Sequence, residues 1–82
     1  MNAFNARLPW VAQNDPEHGF QSRKVRAADT PLGIYEIFQE GIDFDAWFTS
    51  DDSGVLVFLG RTSTANSARE KCERHAKQWR KR

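Results

Sequence analysis

Cys72 and His75 stand three residues apart near the end of the chain, the one place where a thiol and an imidazole share a helical turn. A Cys-x-x-His pair can supply two ligands to a zinc ion, but a structural site needs four. The only other histidine, His18, falls in a polar loop. The same pair has the residue types of a thiolate nucleophile and its base, yet no third orienting group accompanies it. Asp43, Asp45, Asp51 and Asp52 raise the thought of calcium, but the run lacks the central Gly and distal Glu of an EF-hand loop. A glycosidase carboxylate pair needs a cleft that 82 residues hardly build. There is no phosphate-cradling glycine motif, no Ser-His-Asp arrangement and no nucleotide fingerprint. The sequence therefore predicts no catalytic residue, no cofactor and no metal, and the chain reads as a non-enzyme.

Charge offers a second kind of chemistry. The net charge of +1 hides a division. Residues 1–60 hold four basic and nine acidic residues, net −5, whereas residues 61–82 hold eight basic and two acidic residues, net +6. Arg74, Lys77, Arg80 and Lys81 are the residues at the helix end that would touch phosphates. On a helical wheel the basic residues do not form one stripe, and Glu70 and Glu73 interrupt them. A solvated helix exterior that complements the helix dipole accounts for them without a ligand. The acidic body would restrict any nucleic-acid contact to the helix end.

These groups must be positioned by local structure. From Thr64 onward Ala65, Ala68, Cys72, Ala76 and Trp79 recur at spacings of three and four, which predicts a helix with one small-residue stripe. Thr64 suits its N-cap, with Ser67 and Glu70 as an alternative capping box. Before it the period is two. Strands are expected over 23–29, 34–39, 44–50 and 55–59. Thr30-Pro31-Leu32-Gly33 and Asp51-Asp52-Ser53-Gly54 supply turns. Val55–Leu59 is a continuous apolar run of the type buried on both sides. Residues 1–22 read as an irregular segment, partly docked, with a short strand around Leu8–Ala12. The expected architecture is α+β: an antiparallel β-meander of three to four strands with one C-terminal helix packed on one sheet face, spanning 23–82.

Alternation then exposes a problem of cover. With Asp51–Gly54 as a four-residue loop, Phe48 faces Val57 and Ala46 faces Leu59. One sheet face holds Phe44, Ala46, Phe48, Val55, Val57 and Leu59. The other holds Trp47, Leu56 and Phe58 beside Asp45 and Thr49. One helix covers one face only. The N-terminal segment with Trp10, a protein partner or second copy anchored on Trp47 and Phe58, or nucleic-acid bases stacked on those rings are the open covers.

Length and composition bound the rest. Eighty-two residues make one domain, and 39% hydrophobic with 12% aromatic content permits a core. A single cysteine excludes an intramolecular disulfide framework and suits a reducing compartment. No apolar run approaches the ~18 residues of a membrane span. Without a basic-then-apolar leader, the expected location is cytoplasmic.

The segment from Ala28 to Ile37, containing Thr30-Pro31-Leu32-Gly33-Ile34-Tyr35-Glu36-Ile37, the Leu59-Gly60 pair, and Ser67 to His75 resemble a pattern in small uncharacterised phage and prophage proteins. Those chains share a TPLG-x-Y-x-I hairpin, a Leu-Gly strand end and a helix closing on Cys-Glu-x-His. Their Ala-Lys pair reads Ala68-Arg69 here. The resemblance spans about residues 23–78. It implies a phage-type accessory protein and transfers no catalytic residue. The function expected is a non-enzymatic protein-interaction module, with nucleic-acid binding through the basic helix end as the alternative.

Overall fold

Five strands and one helix follow one another along the chain in the computed structural model, which describes residues 8–12 and 22–80, without the side chains of Ser22, Trp79 and Arg80. The strands are β1 (Val11–Ala12), β2 (Ser22–Thr30), β3 (Gly33–Glu40), β4 (Asp43–Ser50) and β5 (Leu56–Thr62), and the helix is α1 (Ala65–Arg80). The sheet order is β1-β2-β3-β4-β5, antiparallel throughout, so the chain is an α+β meander with its helix laid on one face. The sequence predicts three to four strands. The fifth is β1, only two residues long, and it falls within the short strand expected around Leu8–Ala12.

The turns follow from their residues. Gly41, with φ +63°, takes the first loop position between Glu40 and Asp43, where a two-residue hairpin requires positive φ. In the Pro31-Leu32 turn the Thr30 hydroxyl accepts N–H bonds from Leu32 and Gly33 at 3.2 Å and donates to the Gly33 carbonyl at 2.8 Å. At the β4–β5 loop the Ser50 N–H donates to the Val55 carbonyl, and Gly54 (φ +71°) closes back on Ser50. That is the four-residue Asp51–Gly54 loop expected from the sequence. Thr64 caps α1, accepting the Ser67 N–H at 3.1 Å. The alternative Ser67 cap is not used.

The core sits between α1 and one sheet face. Ala68, Cys72 and Ala76 press on Ala28, Tyr35, Ile37, Ala46 and Phe48, all buried. Small side chains on the helix let it approach the sheet closely, while Tyr35 and Phe48 supply volume from below. Leu8, Trp10, Val25, Phe44 and Leu59 close the margins. Leu8 and Trp10 thus dock on the helix side: the Trp10 indole N–H donates to Glu73 of α1 at 3.2 Å. The expectation that Trp10 covers the opposite face is overturned, because its one polar atom finds its partner on the helix.

Two corrections concern β5. Phe48 does pair with Val57, but Ala46 pairs with Gly60, not Leu59, because the register shifts by one residue at a bulge between Ala46 and Trp47. The bulge turns Leu59 toward the core and sets Gly60 beneath the Lys71 stem, where a Cβ would lie 2.9 Å from the methylenes. The apolar run Val55–Leu59 is also not buried on both sides. It lies at the sheet edge, and Leu56 and Phe58 are 60% and 50% exposed. Composition alone does not distinguish a central strand from an edge strand.

Candidate functional site

The sheet face away from α1 is built by the period-two alternation of β3, β4 and β5. Register places Ile34, Glu36, Phe38 and Glu40 of β3 on it, with Asp43, Asp45, Trp47 and Thr49 of β4, then Leu56, Phe58 and Arg61 of β5. β2 adds Lys24, Ala27 and Asp29. No described residue packs over this face.

Its centre is aromatic. The Trp47 and Phe58 rings, on directly opposed residues, lie 4.9 Å apart at 51°. The two residues chosen from the sequence are thus brought together. A shallow depression of about 300 Å³ beside them is lined by Glu36, Phe38, Glu40, Asp45, Trp47 and Leu56. Phe38 was not singled out from the sequence, although its place two residues from Glu36 on an alternating strand was the available signal.

Its rim is acidic. Asp29, Glu36, Glu40, Asp43 and Asp45 oppose Lys24 and Arg61, net −3. Lys24 reaches Glu36 at 3.1 Å. Arg61 grips the buried Asp45 carboxylate with two bonds, Nε–H to Oδ1 at 2.7 Å and an Nη2–H to Oδ2 at 3.0 Å. That paired geometry holds the guanidinium even more firmly protonated than usual. Arg61 therefore belongs to the sheet, not to the basic helix as its sequence position implied. Glu40 and Asp43 form no direct ion pair among the described residues, although both reinforce the Arg61 charge from a distance.

The helix residues of the alternative reading are described only in part. Arg74 and Lys77 are both exposed on the outer side of α1. The Arg80 side chain and Lys81 lie outside the described residues. On the flank of α1 near β1, Arg69 approaches Glu73 at 3.9 Å, so part of the helix charge is internally offset. Comparison with family models, curated proteins and solved structures finds no match to this chain.

The Cys72–His75 pair is resolved by its surroundings. Burial raises the Cys72 thiol to about 12, with Glu73 adding to the effect. Such a thiol is not a nucleophile at neutral pH. His75 does not turn toward Cys72 as a base. Its Nδ1 lies 2.7 Å from the Tyr35 hydroxyl, and its ring packs on Phe48 with centroids 5.0 Å apart. Burial lowers the imidazole pKa and, together with the nearby Cys72, raises that of the Tyr35 phenol. Both groups are thereby held neutral at pH 7, as a phenol–imidazole hydrogen bond requires. Tyr35 is fully buried, Phe48 nearly so, and the arrangement reads as a polar clasp inside the core. Among the described residues no group of three or more His, Cys, Asp or Glu side chains is placed to hold a metal ion. No helix is long and apolar enough to cross a membrane.

Proposed function

We propose that this chain is a non-enzymatic protein-interaction module whose docking surface is the open sheet face. The observation that supports the reading is the Trp47–Phe58 pair, a half-buried indole against an exposed phenyl ring at the centre of a face with net charge −3. Rings of this kind anchor interfaces because they bury large area at small entropic cost. The carboxylates around them select the partner. A segment carrying Lys or Arg next to an apolar anchor would set its cations against Glu40 and Asp43 and over the indole face. Its apolar residue would enter the depression between Phe38 and Leu56. The same charge disfavours a phosphate backbone at this surface. The resemblance of the hairpin and helix to phage proteins suggests an accessory role in that setting.

The test uses probes of defined chemistry. Short peptides that are basic with one Leu, acidic with one Leu, or neutral, and a duplex oligonucleotide, are titrated into the isotopically labelled chain and followed by NMR. Shifts at Trp47, Phe38 and Phe58 with the basic peptide, lost in Trp47→Ala, are expected. Binding of the oligonucleotide that survives Trp47→Ala and disappears in Arg74→Glu with Lys77→Glu would replace this reading with nucleic-acid recognition through the helix.

A further inference from the structure

We infer that the β5 edge pairs with the β5 edge of a second copy of this chain, giving a two-fold dimer with one continuous ten-stranded sheet. The inference goes beyond the docking face above and does not depend on it.

The edge itself calls for cover. Val55, Leu56, Val57 and Phe58 are 55%, 60%, 38% and 50% exposed. From Ser53 to Gly60 there is no charge and no proline, the two devices that usually blunt a free strand edge. At the opposite edge, β1 has only two residues and offers little ladder.

The ladder shows which groups are free. The Ser50 N–H bonds the Val55 carbonyl, so Ser50 and Val55 form a hydrogen-bonded position. Strict alternation follows: Val57 faces β4, while Leu56 and Phe58 direct N–H and C=O outward. An antiparallel copy centred on Val57 satisfies them all. Leu56 exchanges two bonds with the partner's Phe58, and symmetry supplies two more. Val57 meets the partner's Val57 across a non-hydrogen-bonded site, and Val55 meets the partner's Leu59.

Charge favours a second copy as the occupant. Each β5 runs from an acidic turn, Asp51-Asp52, to Gly60, on which the Lys71 stem lies, while Arg61 is already paired with Asp45. Antiparallel pairing brings the acidic turn of each copy toward the partner's Lys71. The arrangement is isologous, so both ends gain equally. Stacking two copies through their open faces would instead oppose −3 with −3. Edge pairing leaves those faces free and makes them continuous, with Leu56 of one copy beside the partner's Phe58.

The experiment measures the mass of the full chain in solution by sedimentation equilibrium, together with three variants. Leu56→Pro removes an outward N–H that β4 does not use, a position where an edge strand accepts proline. Leu56→Lys places a charge at the seam. Val57→Cys puts two thiols across a site where Cα atoms lie ~4.5 Å apart, within disulfide reach. The wild type is expected at twice the chain mass. Both Leu56 variants are expected at the chain mass with unchanged circular dichroism. Val57→Cys is expected to form a covalent dimer on mild oxidation, whereas the wild type, with Cys72 buried, is not. A wild type monomeric at every accessible concentration overturns the proposal. So does a dimer that both Leu56 variants leave intact, or one whose Val57→Cys form does not crosslink. If the Leu56 variants fail to fold, the crosslink alone decides. Val57 pairs with Phe48 on the helix side of the sheet, outside the docking depression, so basic-peptide binding that is the same in reduced and oxidised Val57→Cys keeps the docking face distinct from the edge.

Discussion

Gly33→Ala tests whether the β3–β4 packing is as tight as its contacts imply. Gly33 has φ +156° and is fully covered, paired with Ser50 across the ladder. A Cβ there would run into the Thr49 carbonyl oxygen and lie 2.9 Å from two carbons of the Phe48 ring. Neither neighbour can yield cheaply, since one is backbone and the other is a core ring stacked on Tyr35 at 4.6 Å. Two costs combine. A residue other than glycine in this region of φ costs about 1–3 kcal/mol. Overpacking a well-filled site adds about 1–3 kcal/mol. The expected loss is therefore about 4 kcal/mol, against about 4–12 kcal/mol for the whole fold of a chain this size. Gly54→Ala is the control. It also has positive φ, +71°, but nothing lies within 4 Å of its Cβ, so only backbone strain of about 1–2 kcal/mol applies. Urea unfolding followed by tryptophan fluorescence reads both. In melting temperature, each kcal/mol corresponds to about 4–8 °C for a domain of this length. Gly54→Ala should melt several degrees low, and Gly33→Ala about 16–32 °C low. Equal losses in the two variants, within about 0.5 kcal/mol, would refute the packing argument and leave only backbone strain.

Four further outcomes can be measured. Because burial lowers the His75 pKa, the unfolded chain takes up its proton near pH 6.5 and the folded chain only at lower pH. The unfolded state thus binds more protons in that window, so stability is intact above pH 6.5 and declines as pH falls through it. The slope is at most about 1.4 kcal/mol per pH unit, and His75→Gln should remove this component from the urea midpoints. Tyr35→Phe deletes the hydroxyl that His75 meets and should cost about 1–2 kcal/mol at pH 7, with near-wild-type stability arguing against the clasp. Cys72 should react with a thiol reagent only as fast as the chain opens, and rapid labelling of the folded chain would contradict its burial. Thr64→Ala should cost about 1 kcal/mol, seen in the urea midpoint, while Ser67→Ala costs less, because Thr64 is the residue that takes the helix N–H.

Local signals in the sequence carried much of this fold. The stripe Ala65, Ala68, Cys72, Ala76 located α1 and its buried face, since a helical period is written every three to four residues. Asp51–Gly54 located the β4–β5 loop, because a glycine with φ +71° closes it. Tyr35 and Ile37 were placed on one face by alternation alone, and both are fully buried. What failed was what depends on distant residues. The Tyr35–His75 contact joins positions 40 apart, and no spacing rule reaches that far. The bulge at Leu59 sets Gly60 beneath Lys71, a helix–sheet contact invisible along the strand. Arg61 was counted with the helix because it follows the last glycine, yet strand register returns it to Asp45.

The same distinction explains why the candidate site was half legible. Trp47 and Phe58 share a face by parity, and parity is local. Whether that face is covered is a question of supply: one helix and a short N-terminal stretch, against two apolar sheet faces. Of the described part of that stretch, Leu8 and Trp10 are spent on the helix side, with Trp10 bonded to Glu73, while Pro9 and Val11 reach only the margin of the other face beside Ala27 and Asp29. The charge split has the same origin. Five of the nine acidic residues of the body fall on the face that α1 leaves open, and α1 carries basic residues on its solvent side. Segregating the two signs onto opposite surfaces produces no stability within one chain, since the sheet lies between them. Under the proposed reading its consequence is selectivity: cations at the sheet face, anions at the helix. The aromatic pair belongs to the first of these surfaces, and that is why the sheet face, not the more conspicuous basic helix, is the site to test first.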